Sequence, residues 1–381
     1  MRQLTFTGVG RLEWRDVPEP VLRGPGEALV RPIAAARCDL DPVWMNGSVG
    51  RELRFGIALH LVDGNAMEAL AGAPPFAPEF AVGHECVAEV ISIGADVRTV
   101  RIGQRVVVPF QVSCGHCNPC GRGLTSRCTD GPLPVTTYGF GPGARLHGGA
   151  LSDVVRVPYA DSMLVPLPDG VDPIAVASAS DNLPDALRSV GPALRERPGA
   201  PVLVVGGAAS SIGLYAAAIA KALGASEVDY VDTSRERLEI AQRLGVRALE
   251  ASRGALGGAF RSLPNRYPIS VDACSDRAGR GLTLALRSLE PGGTCTSVGI
   301  YPRTRTPIPL MQMYVDGVTL RTGITNARAL IPEVLDLVAR KRLDPSPVAT
   351  LVAPWEDAHR AFLERTTKVI VTRASIHGAE G

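Results

Sequence analysis

The sequence has almost no lysine: of its 40 basic residues, all but Lys221, Lys341 and Lys368 are arginine. Basic and acidic residues nearly balance, leaving a net charge of +2, so charge gives no reason to expect nucleic acid or a membrane surface as partner. No apolar run reaches the roughly 18 residues of a membrane span, and the opening MRQLTFTGVGRLEW lacks the apolar core of a signal peptide. Together these absences predict a cytoplasmic protein. Internal repeats and low-complexity segments are missing too. What remains is 45% hydrophobic and 20% charged, the composition of a globular protein. At 381 residues the chain is too long for one ordinary core, so two domains are expected.

Four of the eight cysteines cluster as Cys114, Cys117, Cys120 and Cys128. The spacing C-x2-C-x2-C-x7-C brings four thiolates within reach of one ion, and Zn²⁺ takes four such ligands tetrahedrally in closed, structural sites. Gly115, Pro119, Gly121 and Gly123 supply the turns. Two disulfides are the alternative, but nothing else in the chain looks secreted.

Residues 1–37 read as short strands broken by Pro and Gly, leading to Cys38, which alone reads as a buried structural cysteine. Residues 43–80, punctuated by glycines and closed by Pro74, Pro75 and Pro78, read as a long loop with a short helix near Asn65–Leu70. His60 lies there and reads as a surface residue. Gly83-His84-Glu85 opens a strand-rich segment suited to a small barrel-like sheet.

From Asp172 onward, helical patterns alternate with short apolar runs, as in βαβ units. Pro201–Gly206 reads as a strand, followed by a turn over Gly207, Ala208, Ser210, Ser211, Ile212 and Gly213 and then a helix. Such a turn offers backbone N–H groups and a positive helix end to a phosphate. Asp232 stands 19 residues beyond Gly213, at the end of the next strand, where a carboxylate can accept ribose hydroxyls. Ala208 and Ser210 replace glycines of the usual G-x-G-x-x-G. Asp232 favours NAD over NADP, whereas Arg235 and Arg237 nearby favour the extra phosphate.

These pieces, with Cys38 after a strand, Gly148-Gly149, Leu289-Glu-Pro-Gly-Gly293 and the closing Lys368-Val-Ile-Val, resemble the zinc-containing medium-chain alcohol dehydrogenases. Val108-Pro-Phe-Gln-Val-Ser-Cys, Val157-Pro-Tyr-Ala-Asp and Ala179-Ser-Asp-Asn-Leu-Pro184 look most like the glutathione-independent formaldehyde dehydrogenase branch. The resemblance implies an α/β protein with a GroES-like, β-rich catalytic domain at 1–180 and 325–381, bearing the zinc lobe at 113–129. A Rossmann coenzyme domain would occupy 181–324.

The resemblance also implies two Zn²⁺ per chain, one held by the four cysteines and one catalytic. It assigns the catalytic zinc to Cys38, His84 and, in place of the usual cysteine, Asp181 of the Ser-Asp-x-x-Pro motif. Read without it, Asp181 is a helix N-cap. Glu85 would be a carboxylate behind the ligands, and Val298 and Lys368 would join the coenzyme contacts. The activity implied is hydride transfer between a small alcohol, aldehyde or ketone and NAD, in a homodimer or homotetramer. Three departures stand out. Leu40 occupies the place of a proton-passing Ser or Thr, Asp39 follows the zinc cysteine, and 46 residues separate Cys38 from His84, a longer span than is usual. Leu40 and the altered glycine turn leave open a zinc- and nucleotide-binding member of this fold that has lost turnover.

Overall fold

The computed structural model describes residues 1–47, 50–72, 76–251, 267–276 and 278–376. They form two compact units, one of Met1–Pro184, Asn326–Ala339 and Ala349–Gly381, the other of Asp185–Thr325 and Arg340–Val348. Among them no helix is long and apolar enough to cross a membrane.

The first unit is β-rich and GroES-like. Its seven-stranded sheet runs in the order Leu351–Pro354, Val369–Thr372, Ala28–Ala36, Glu85–Ile93, Arg105–Val108, Val165–Pro166, with Val155–Val157 also pairing with Ala28–Ala36. Pro32 is tolerated within its strand because the register shifts there, between Pro32 and Ala34. A second sheet joins Arg11–Asp16, Arg2–Gly8 and Phe80–Ala81. The alternating apolar residues of both sheets, among them Leu4, Phe6, Val30, Ala88 and Val106, close on one core.

The stretch expected to be a loop is largely helical instead. Helices span Asp41–Met45, Gly50–Ala58 and Gly64–Ala71, the last capped by Asp63, whose side chain accepts Ala66 N–H. Pro74 and Pro75 lie outside the described residues. Trp44, Met67, Phe76 and Phe80 enter the core, where Trp44 packs edge-on to Phe6 at 4.9 Å between centroids. Gly64–Ala71 is the short helix expected near Asn65–Leu70; glycine punctuation hid the other two. Aromatic anchoring outweighs its propensity cost, which is about 1 kcal/mol per residue.

The second unit is built on six parallel strands in the order Arg247–Glu250, Val228–Asp232, Val202–Val205, Tyr267–Asp272, Leu289–Ser297, Thr319–Arg321. Numbered along the chain this is 3-2-1-4-5-6, the doubly wound Rossmann order, whose ligand crevice opens between the first and fourth strands. Val202–Val205 is buried at every position, as a central parallel strand must be.

Candidate active site and coenzyme turn

Strand register brings the first cluster together. Ala36 pairs with Glu85 on one side and Ile370 on the other, both antiparallel. Cys38 therefore leaves its strand beside His84 and Lys368. Arg37 locks this junction. Its backbone N–H donates to Val369 O, and its buried guanidinium donates to the carbonyls of Phe362, Glu364 and Thr366 at 3.0, 2.5 and 2.6 Å. Asp181 is delivered by the short 3₁₀ turn Ala177–Ser180. The Ser180 hydroxyl accepts Cys86 N–H and donates to Cys86 O, clipping that turn to the strand beginning at Glu85.

Cys38 Sγ consequently lies 3.2 Å from Asp181 Oδ2, and His84 Nε2 lies 3.4 Å from the same oxygen. Ligand atoms of Cys38, His84, Glu85 and Asp181 all fall within 4.8 Å of one another, and all four residues are buried. Nitrogen and oxygen ligands about 2.0–2.1 Å from a tetrahedral ion stand roughly 3.4 Å apart, so the separations fit zinc. Both ring nitrogens of His84 are buried without a hydrogen-bond partner, which a ligated and oriented imidazole would remedy.

The charges also call for a cation. Burial, then the Asp181 and Glu85 carboxylates, push the Cys38 thiol well above its ordinary value. Burial works to lower His84, but Asp41 and Asp181 outweigh it and raise the imidazole. Burial lifts Glu85 to about 7 although Lys368 opposes it.

Sequence reasoning missed Asp41. Wholly buried, it accepts Cys38 N–H through Oδ2 at 3.0 Å and sets Oδ1 3.8 Å from His84 Nδ1. The available signal was an acid three residues after a candidate ligand. Lys368, expected among the coenzyme contacts, is buried and pairs with Glu85 at Nζ–Oε2 2.9 Å. Leu40 is half-buried, and its backbone N–H lies 3.5 Å from Cys38 Sγ. His60 is exposed, in a left-handed conformation at φ 56°.

In the second cluster Cys114, Cys117, Cys120 and Cys128 also converge within 4.8 Å. Sulfurs about 2.3 Å from a tetrahedral centre stand roughly 3.8 Å apart; those of Cys117 and Cys128 are 4.0 Å apart. All eight cysteines are free thiols, so the disulfide alternative does not hold. Gly115 adopts φ 82°, and a Cβ there would meet Ser162 Oγ at 2.3 Å.

The turn expected to hold the coenzyme lies in the second unit. Helix Ser210–Ala222 begins directly after it, containing Ser211, Ile212 and Gly213, and Ala209 at its N-cap has no capping side chain. Gly207 is required, since a Cβ would strike Cys274 Cα at 2.5 Å. Ala208 N–H donates to Cys274 O. Val298 is buried and donates its N–H to Asp272 O, while Arg235 is exposed and pairs with Glu239.

Asp232 is buried and heavily engaged. Arg237 grips both carboxylate oxygens at 2.7 Å, Tyr230 donates to Oδ2, and the N–H groups of Thr233 and Ser234 donate to Oδ1. A ribose diol bound at Asp232 would have to share or displace these donors, a condition the spacing from Gly213 could not reveal.

Residues 24–169 match the alcohol dehydrogenase GroES-like domain, and residues 211–340 match the zinc-binding dehydrogenase domain. A medium chain reductase/dehydrogenase of Acremonium sp is 31% identical over 299 residues, 75% of this chain and 94% of that one. The chain belongs to the zinc-containing medium-chain alcohol dehydrogenase family. Another family member, the glutathione-independent formaldehyde dehydrogenase of Pseudomonas aeruginosa, is 31% identical over 262 residues, 66% of this chain and 59% of that one. Among solved family structures, alcohol dehydrogenase TADH from Thermus sp. ATN1 is 29% identical with a TM-score of 0.79, covering 98% of this chain and 99% of that one.

Proposed function

We propose that this family member is a zinc-dependent alcohol dehydrogenase that moves a hydride between an alcohol or carbonyl substrate and NAD, with NADP the less favoured coenzyme. The observation carrying this reading is the convergence of Cys38 Sγ, His84 Nε2 and Asp181 Oδ2 in one buried cluster. Zinc held by these three residues would supply Lewis-acid polarisation of the substrate oxygen, and NAD would be the hydride acceptor. A second zinc, held by the four clustered cysteines, would be structural.

The chain's own residues do the positioning. Asp41 faces His84 Nδ1 and so directs Nε2 toward the ligand cluster. Lys368 balances Glu85, which keeps that carboxylate from competing with Asp181. The rings of Phe140 and Phe110, with centroids 4.9 and 5.7 Å from that of His84, hold water away from the imidazole. Leu40 offers no lone pair, so the substrate proton must leave through another group. Gly207 and the helix starting at Ser210 would receive the coenzyme phosphates, and Asp232 would meet the adenosine ribose.

Helix Leu310–Asp316 exposes Leu310, Met311, Tyr314 and Val315, the last two by 82% and 69%. Such an apolar face suits a second copy of the chain, and light scattering of Met311→Arg against the parent tests this. The activity is tested by screening a panel of alcohols for NAD reduction by zinc-loaded protein. Turnover of at least one alcohol that chelation abolishes is expected. Full zinc loading with NAD binding but no turnover of any alcohol would instead support a binding member of the fold, the reading that Leu40 favours.

A further inference from the structure

We propose that Tyr301 is a positioning residue for the nicotinamide half of the coenzyme, acting through Asp272; the inference rests on the NAD-dependent activity proposed for this chain. In the doubly wound order a dinucleotide lies across the carboxyl ends of the strands. The turn after the first strand would take its phosphates, and Asp232, ending the second, its adenosine ribose. The nicotinamide half then extends the opposite way, over the ends of the fourth and fifth strands, Tyr267–Asp272 and Leu289–Ser297.

A dense hydrogen-bond network stands at those two strand ends. Asp272 closes the fourth strand with no exposed surface. Its Oδ2 accepts the Ser297 hydroxyl at 2.7 Å and the Tyr301 phenol at 2.8 Å, and its Oδ1 accepts Cys274 N–H at 3.1 Å. Burial raises this carboxyl, and the two hydroxyl donors oppose the rise. Between Ser297 and Tyr301 runs the segment Val298–Ile300. Val298 N–H donates to Asp272 O, Gly299 N–H to Ser297 Oγ and Ile300 N–H to Ser275 Oγ. Ser275 adopts φ 52°, a left-handed conformation uncommon outside glycine. A Cβ on Gly299 would meet Ser275 Oγ at 2.9 Å and the Tyr301 ring at 2.8 Å.

Two further bonds tie this network to the expected phosphate turn. Ala208 N–H donates to Cys274 O at 2.9 Å, and Ala209 N–H donates to Ala273 O at 3.0 Å. Tyr301 is thus joined to that turn through Asp272 and Cys274. The three N–H groups of Val298–Ile300 are all used internally, while among the described residues no backbone N–H donates to the carbonyls of Gly299 and Ile300. A carboxamide NH₂, such as the one nicotinamide carries, is a donor for acceptors of this kind. Ser297 and Cys274 hold Asp272 from the strand ends, whereas Tyr301 reaches it from beyond the segment. Removing the phenol therefore frees the far end of Val298–Ile300 and leaves the strands in place. A segment that must then be ordered when the ligand binds costs affinity.

The test is calorimetric titration of the zinc-loaded full chain with NAD and, separately, with ADP-ribose, which lacks the nicotinamide. Tyr301→Phe is expected to weaken NAD about tenfold and to bind ADP-ribose as the parent does. Unchanged ADP-ribose binding also reports that the variant is folded. Equal weakening of both ligands would make Tyr301 a general prop of the fold and overturn the proposal. So would a variant that binds NAD as tightly as the parent, with the coenzyme reading left standing. A parent that binds neither ligand would overturn the coenzyme reading itself, and this proposal with it.

Discussion

Lys368 Nζ lies 2.9 Å from Glu85 Oε2, and neither side chain has any exposed surface. The partners are 283 residues apart in sequence and meet because strands beginning at Glu85 and Val369 flank the one that ends before Cys38. Removing one partner of a desolvated pair strands the other charge, at a cost of about 3–5 kcal/mol. Lys368→Met is therefore expected to lose about that much in urea unfolding, and Lys368→Met/Glu85→Gln to regain part of it. A single variant as stable as the parent would show that the pair does not hold the junction.

The bidentate hold of Arg237 on Asp232 sets a second expectation. With the carboxylate gone, the guanidinium is left to meet a 2′-phosphate. Asp232→Ser should raise the NADP/NAD ratio of kcat/KM, and Arg237→Ala should lower it. Both ratios are read from initial rates on one alcohol. A parent that already prefers NADP would contradict the role given to Asp232.

His147 carries the pH dependence. Its folded value of about 4 lies below the ordinary 6.5, so the unfolded chain binds more protons between these values. The stability contribution is complete above about pH 6.5 and is lost as pH falls toward about 4. Relative to His147→Leu, the parent should lose stability across that window, measured by thermal unfolding of both at matched zinc. Parallel profiles would place the imidazole in solvent.

Much of the site was legible because its chemistry is local in sequence. The four-cysteine spacing names its own ligand set, whereas His84 and Asp181 are named only through the family resemblance, and Asp181 read by itself is a helix N-cap. The Rossmann strands were legible because buried parallel strands read as continuous apolar runs, Val202–Val205 most clearly. What stayed hidden depends on register or tertiary contact. Asp41 and Lys368 reach the cluster only through the strand pairings at Ala36. Arg237 closes on Asp232 through one turn of helix, which spacing alone leaves ambiguous with solvent exposure. The helices Asp41–Met45 and Gly50–Ala58 were obscured by glycines, whereas Gly64–Ala71 was expected; Trp44 and Met67 anchor the segment by packing rather than by propensity.

The account turns on Asp181 as the third ligand of a catalytic zinc. Its most direct test is the zinc content of purified Asp181→Ala, measured alongside its fold by circular dichroism. The parent offers two clusters able to hold the metal, so two zinc ions per chain are expected there. The variant should keep its fold and the zinc of the four cysteines but lose the other. An Asp181→Ala protein that retains both zinc ions and the parent's NAD-dependent turnover would contradict the assignment.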